Sequence, residues 1–371
     1  MSELALFEHE QNEQSAKTLN AAVLTHQPMS DPTVSASVST LQAKFANIGQ
    51  SETDLDDRRA VRKSFAQSEA FIVVNPEFSK TAKLGRLARL SLRARLAGKP
   101  FALVGLSVSN LSTRRSRFLA RFVVTHADLV LLRDEASADA LIDAGVEPPF
   151  RIGADPAWAQ LDELYAAREP ADQMVVAIDL TDGDSKTSES RASRLEETLG
   201  KTLGPLADSG VEIILQPWET PDYGVGNELL AKKVSARLGG RATVVESPAT
   251  LREARELYSS SRMVVATRRH ALMAAAVAGS RAVSLSDSDD VHRFSAQLDV
   301  PTFSSGSEPA AMSAALFDAL GSEPATPAVV REQIDRAKGS LSLVRLLLTE
   351  GVGHEAASLD SLPLYPNPWR S

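Results

Sequence analysis

The sequence predicts an α/β protein made of two Rossmann-like domains facing each other across a cleft, each built on a parallel sheet. Three observations carry that expectation. Short unbroken apolar segments alternate with amphipathic ones, as in parallel strands buried on both faces and joined by helices. The alternation runs twice, with an interruption after Asp155-Pro156. A chain of 371 residues also exceeds one ordinary core and suits two domains of roughly 150 residues each.

Taken in order, the first 50 residues give the weakest pattern. Residues 4–7 (LALF) suit a short strand, and 28–40, rich in Ser, Thr and Pro, read as loop. Regularity begins at Phe71. Strands are expected at 71–74, 101–105, 129–132 and near 150–153. Helices are expected at 80–97, with Leu84, Leu87 and Leu96 on one side, at 113–124, and at 135–144, where Gly145 supplies a C-terminal stop. The stretch from Asp155 to about residue 170 reads as a connection. Strands then recur at 174–180, 211–216, 242–245, 263–266 and 282–285, with helices at 190–209, 227–238, 249–259 and 271–278. A last helix at 327–349 precedes an extended Pro-rich tail at 362–371. The domains accordingly read as 1–165, 170–325 and a C-terminal helix and tail at 326–371.

Composition narrows the function classes. Hydrophobic residues at 43% and charged residues at 24% describe a globular protein. No apolar run approaches the ~18 residues of a membrane span. The acidic, polar N-terminus has no export-signal pattern, which points to the cytoplasm. The absence of cysteine excludes disulfides, thiolate metal sites and cysteine nucleophiles. A net charge of −8 argues against nucleic acid as a partner. The charge is uneven, however. Eleven Lys or Arg and no Asp or Glu lie between Lys80 and Arg121, so the rest of the chain carries −19. That segment is either a solvated helix face, a surface for an anionic acceptor or partner protein, or a peripheral contact with the inner face of an anionic membrane.

Ligands of open parallel sheets collect beyond the carboxyl ends of the strands. Two such ends carry cations. Strand 263–266 is followed by Thr267-Arg268-Arg269-His270 and an Ala-rich helix. Helix-opening N–H groups favour an anion there, arginine adds a planar fork, and histidine a proton donor or acceptor. A helix start with surface arginines and a satisfied histidine explains the run equally well. Strand 129–132 is followed by Arg133-Asp134-Glu135-Ala136-Ser137, with Asp134 as N-cap and Arg133 at the cleft or paired with Asp134 or Glu135. Asp222, Trp218 and Tyr223 follow strand 211–216 and could face or stack on a sugar, or could be loop and packing residues. The acidic groups Asp287-Ser288-Asp289-Asp290 and Asp182/Asp184 read as solvated turns and caps, so no metal is expected.

These stretches resemble the polysaccharide pyruvyl transferases, two-domain enzymes of GT-B-like architecture. Ala127-Asp128 through Arg133-Asp134-Glu135-Ala136-Ser137, with Leu141 and Gly145-Val146, is similar to the family's "RD..S...L...G" segment. Asp155-Pro156 resembles its "DP", and Thr267-Arg268-Arg269-His270-Ala271, with Ala275 and Gly279, its "S.RLHA...A...G". Val291, Phe294, Leu298 and Pro301 fall where the family has "KV..F...LGLP". The resemblance covers about residues 70–345. It implies transfer of a pyruvyl group from phosphoenolpyruvate, as donor substrate without a cofactor, to two hydroxyls of a sugar. The acceptor would belong to a cell-surface polysaccharide or a lipid-linked glycan, a step of exopolysaccharide biosynthesis. On that reading His270 is the acid, Arg268, Arg133 and Arg269 hold the donor, and Asp222, Trp218 and Asn12 line the acceptor.

The sequence also departs from the family. Residues 9–15 keep only Asn12 of a Gly-rich opening segment, Asn75-Pro76-Glu77 replaces a glycine run, and Leu106 to Asn110 replaces another. Asp290 stands where the family usually has Lys. An anion beside a trianionic donor costs about 1–4 kcal/mol at an effective dielectric between 80 and 20. Either Arg269 or Arg293 substitutes for the lost cation, or the acceptor differs, or catalysis is lost. Two other functions therefore stay open: a non-catalytic scaffold or regulator of glycan assembly, and a GT-B-type glycosyltransferase using a nucleotide sugar.

Overall fold

The computed structural model describes residues 20–25, 32–44, 49–78, 81–109, 111–147, 149–161, 171–179, 188–218, 226–321 and 327–350. They form two Rossmann-like domains in a GT-B-like arrangement, each with a parallel sheet.

The first sheet contains β1 (Asn20–Thr25), β2 (Gly49–Asp54), β3 (Ala70–Val74), the two-residue β4 (Glu77–Phe78), β5 (Phe101–Val108), β6 (Leu129–Leu132) and β7 (Arg151–Ile152). Its order is β2-β1-β3-β5-β6-β7, with β4 pairing with β5. Its helices are α1 (Pro32–Lys44), α2 (Arg58–Gln67), α3 (Thr81–Leu96), α4 (Arg114–His126) and α5 (Glu135–Asp143). After β7 comes the short α6 (Ala157–Leu161).

The second sheet contains β8 (Ala171–Ile178), β9 (Glu212–Pro217), β10 (Ala242–Val244), β11 (Ser261–Ala266), β12 (Arg281–Leu285) and β13 (Thr302–Phe303), in the order β10-β9-β8-β11-β12-β13. Around it lie α7 (Ser188–Asp208), α8 (Asn227–Arg237), α9 (Leu251–Ser259), α10 (Arg269–Ala278), α11 (Asp289–Gln297) and α12 (Pro309–Gly321). Strand order reverses between β8 and β11, and crevices for ligands open at such reversals.

The strands are short apolar runs because both faces are covered. All five residues of β3 and all eight of β5 are buried. The last helix, α13 (Pro327–Glu350), serves both domains. Val330, Ile334 and Ala337 join the core of the second, whereas Leu341, Val344 and Leu347 pack on the first sheet. Its 24 residues reach about 36 Å, long enough to cross from one to the other.

Several expectations need correction. Of residues 28–40, expected as loop, 32–40 belong to α1, which buries Ala36, Val38 and Leu41. Its polar residues are accommodated locally: the Thr40 hydroxyl donates to the Ala36 carbonyl at 2.8 Å. The connection after Asp155 contains α6, and α11 and α12 fill stretches without an expected element. The strand expected at 4–7 lies outside the described residues.

Candidate functional site

The site grows from strand ends that point at one another across the two domains. In the second domain, β11 ends at Ala266. The next residue, Thr267, donates its N–H to the Ala177 carbonyl at 3.1 Å. Its hydroxyl accepts the Asp179 N–H at 2.6 Å. This ties the exits of β8 and β11 together. Arg268 stays extended and α10 begins at Arg269. All ten residues of α10 are buried, and its small alanines let the neighbouring layers approach closely. Gly279 closes the helix in the left-handed conformation, φ 70°.

Two clusters result, and they separate residues that were expected to act together. Arg268 joins the first. Its Nη1 lies 2.8 Å from Asp179 Oδ2, and its guanidinium lies 4.9 Å from the ring centre of Trp218. Asn227 Nδ2 lies 3.3 Å from Asp179 Oδ1. Trp218 Nε1 donates to the Tyr258 hydroxyl at 3.1 Å, which donates onward to Gln216 Oε1 at 2.6 Å. Burial raises the Tyr258 pKa above its ordinary value, so this hydroxyl stays protonated. Trp218 is only 1% exposed, which corrects the expectation that it could stack on a sugar. Asn12 and Asp222 lie outside the described residues.

The second cluster is centred on Asp155, which follows β7 and is 1% exposed. Oδ1 accepts the Ala157 N–H at 3.0 Å, Asn75 Nδ2 at 3.2 Å and the Ser37 hydroxyl at 3.3 Å. Oδ2 lies 2.6 Å from Arg269 Nη2 and 3.3 Å from His270 Nε2. Burial alone would push this carboxyl up. The hydrogen bond and charge of His270, the charge of Arg133 and the Ala157 N–H outweigh burial and hold it below the ordinary range. Asn75 reaches Asp155 from a left-handed turn, φ 47°. Gly105 makes room for that turn, since a Cβ on it would lie 2.3 Å from Asn75 Oδ1.

Arg133 leaves β6 with its N–H bonded to the Leu106 carbonyl at 2.9 Å. Asp134 caps α5 as the sequence suggests, accepting the Ser137 N–H at 2.7 Å and its hydroxyl at 2.6 Å. Arg133 crosses to the second domain and pairs through Nη2 with Asp290 Oδ1. Asp290 also receives the Ser107 hydroxyl at 3.2 Å, with Arg269 Nη1 at 3.3 Å and Arg293 Nη2 at 3.6 Å. Burial works against the charge on Arg133, but Asp290, Asp134 and Asp155 outweigh it and raise the pKa. Asp290 is thus the shared counter-ion of three arginines from both domains. His270 aside, the three arginines Arg133, Arg269 and Arg293 are matched by the three carboxylates Asp134, Asp155 and Asp290.

The cluster still has unused donors. Buried Nε of Arg269, and Nε and Nη2 of Arg293, make no hydrogen bond among the described residues. Such groups are costly unless a ligand or water serves them. Asp287, in the acidic run considered for a cation, accepts the Ser305 N–H at 2.9 Å and hydroxyl at 2.5 Å. No group of three or more His, Asp or Glu suited to a metal occurs among the described residues.

The sequence placed Arg269, His270 and Arg133 in the cleft and the structure brings these three together. From the sequence, Asp155 has no role beyond the resemblance of Asp155-Pro156 to a family motif at the start of a connection. A buried-strand exit followed by Asp-Pro was the available signal. Asn75 and Asp179 left no signal of their own.

Comparison with known proteins adds the family and the fold. The sequence model of the family described as polysaccharide pyruvyl transferase matches residues 35–289. No curated protein sequence matches the chain. Among solved structures, one from Listeria monocytogenes described as a UDP-N-acetylglucosamine 2-epimerase has TM-score 0.59 and 11% identity, covering 90% of this chain and 98% of that one. The UDP-GlcNAc 2-epimerase of Methanocaldococcus jannaschii, in complex with UDP-GlcNAc and UDP, has TM-score 0.55 and 10% identity over 89% and 99% of the two chains. That of Neisseria meningitidis, bound to UDP-GlcNAc, has TM-score 0.55 and 11% identity over 90% and 100%. At such identities the likeness concerns the fold.

Proposed function

The chain belongs to the polysaccharide pyruvyl transferase family, and from that premise we propose that it transfers the pyruvyl group of phosphoenolpyruvate to a sugar of a cell-surface glycan or its precursor. The observation that carries this reading is the His270–Asp155 pair, 3.3 Å apart and bracketed by Arg269 and Arg133 at facing strand ends. In the proposed reaction the ring of His270 protonates the methylene carbon of the donor. The cation formed at the adjacent carbon is attacked by one sugar hydroxyl, phosphate leaves, and the second hydroxyl closes the ketal. Of the two hydroxyl protons, one restores His270 and the other goes to the departing phosphate. In this reading Nε2, 3.3 Å from Asp155 Oδ2 and 3.1 Å from Arg269 Nη2, donates its proton to Asp155 in a hydrogen bond that fixes the ring. Arg133, Arg269 and Arg293 then receive the donor's carboxylate and phosphate.

Arg268 changes role in this account. Held by Asp179 and stacked on Trp218, it positions the start of α10 rather than clamping the donor. Asp290 favours a second reading, that of a diverged member without activity, because a carboxylate of the chain already engages the three arginines. Calorimetric titration with phosphoenolpyruvate, followed by phosphate release in the presence of glycan acceptors, separates the two. Binding and turnover that both vanish in His270→Ala and Arg269→Ala support transfer. A folded protein silent to phosphoenolpyruvate supports the second reading. UDP-GlcNAc, bound by two of the structural neighbours, is the comparison ligand, and a response to it alone would indicate a nucleotide-sugar enzyme.

A further inference from the structure

We propose that the outer face of α3 and α4 docks the protein onto an anionic membrane surface. The inference is independent of the reaction proposed above. The two helices lie over the same face of the first sheet, contributing Leu84, Leu87 and Ala94, and Ala120, Val123 and Val124, to one core cluster. Those buried stripes fix which positions face outward.

Outward lie Arg89, Leu92 and Leu96 on α3, and Arg114, Arg115, Phe118 and Arg121 on α4. Five large apolar side chains are exposed among the described residues, and three of them, Leu92, Leu96 and Phe118, are on this face. Leu96 is 79% exposed and Phe118 63%, the latter with its ring centre 6.3 Å from that of Phe122. Some cations of the segment have local tasks. Arg86 pairs with Asp56, Arg95 lies 3.9 Å from Asp128, and Arg93 sits over the Phe65 ring. Arg89, Arg114, Arg115 and Arg121 have no ion-pair partner among the described residues.

Charge selects the class of partner. Eleven cations without an anion lie between Lys80 and Arg121, in a chain whose remainder carries −19. The resulting charge asymmetry turns this face toward a negatively charged surface. The apolar trio selects the bilayer among anionic surfaces. A soluble polyanion offers nothing for Phe118 and Leu96 to enter, whereas the headgroup–acyl boundary accepts apolar side chains between arginines. No described helix is long and apolar enough to cross a membrane, and the proposed contact is made by exposed side chains of α3 and α4 alone.

Cosedimentation of the full chain with phosphatidylglycerol/phosphatidylcholine vesicles, and with phosphatidylcholine alone, tests this. Binding to the anionic vesicles only, weakened by salt, is expected. The triple variant Arg114→Gln/Arg115→Gln/Arg121→Gln should lower partitioning about a hundredfold, at roughly fivefold per arginine. Leu92→Ser/Leu96→Ser/Phe118→Ser should lower it about tenfold at low salt, where charge alone persists. Both variants should retain the thermal melting of the parent, because every altered side chain is exposed. Failure to bind anionic vesicles at low salt overturns the proposal. So does undiminished binding of the apolar variant, which would assign the face to a soluble polyanion or an acidic protein.

Discussion

Replacing Asp290 by Asn changes one charge at the point where both domains and three arginines meet. Asn keeps the shape and can still accept from Ser107, 3.2 Å away, so the substitution isolates charge. Two unit charges 4 Å apart interact by about 1 kcal/mol in water and about 4 kcal/mol at an effective dielectric of 20. The Asp290 side chain is 30% exposed, which places the effect in the lower part of that range, about 1–2 kcal/mol. The carboxylate no longer competes with an incoming anion for Arg269 Nη1 and Arg293 Nη2, at 3.3 and 3.6 Å. Phosphoenolpyruvate should therefore bind about five- to thirty-fold more tightly to Asp290→Asn, at roughly 1.4 kcal/mol per tenfold. Calorimetry at two ionic strengths measures this, and the gain should shrink as salt rises. In the absence of donor the variant should melt at a lower temperature, since Arg133 loses its nearest counter-ion. Ser107→Ala is the control, because it removes a hydrogen bond to the carboxylate and leaves its charge. Unchanged or weaker donor binding in Asp290→Asn would refute the reasoning that Asp290 occupies the anion site.

Other substitutions report on the surrounding structure. The Asp155 carboxyl is held below its ordinary value of 3.8, so its contribution to stability is complete above that pH and is lost as pH falls below it. Thermal melting from pH 7 to 3 should therefore fall less steeply for Asp155→Asn than for the parent, and equal slopes would contradict this assignment. Tyr258→Phe deprives Trp218 Nε1 of an acceptor and Gln216 of a donor in a buried site, and should cost about 1–3 kcal/mol in urea unfolding. Gly105→Ala combines φ +69° with a Cβ 2.3 Å from Asn75 Oδ1. It should cost about 1–3 kcal/mol and weaken donor binding by displacing a ligand of Asp155, read by melting and calorimetry together.

The strands were legible because a parallel strand buried on both faces must be a short apolar run. The stretch 129–132 was assigned to the residue, and 71–74 to within one. Helix α1 was not legible, because Pro-Thr-Val-Ser-Ala-Ser-Val-Ser-Thr has the composition of a loop. Its helical state follows from burial of Ala36, Val38 and Leu41 beneath the other layers, a tertiary effect. The site divides in the same way. Arg133, Arg269 and His270 follow strands, where the rule about carboxyl ends finds them. The side-chain partners of Asp155 come from positions 37, 75, 269 and 270, and nothing local links these. Trp218 looked available for a ligand because the tyrosine covering its Nε1 lies forty residues later.

Asp290 also changes how the two domains are coupled to the site. Read from sequence, an anion in place of the family's lysine meant only a weaker donor site. In the fold the same carboxylate receives Ser107 and Arg133 from the first domain while sitting on α11 of the second. Arg269 in turn reaches Asp155 across the same boundary. The carboxylates that neutralise the arginines are therefore also ties between the domains. A donor that takes over Arg133 and Arg269 must compete with those ties, so its binding free energy is reduced by whatever they contribute to closure. The helix α13, packed into both cores, limits how far the halves can separate once the ties are released. Replacing lysine by aspartate thus exchanges a fixed cation for a cross-domain contact. Under the proposed function, donor affinity and domain closure are then linked quantities, and a substitution at this position is expected to move both.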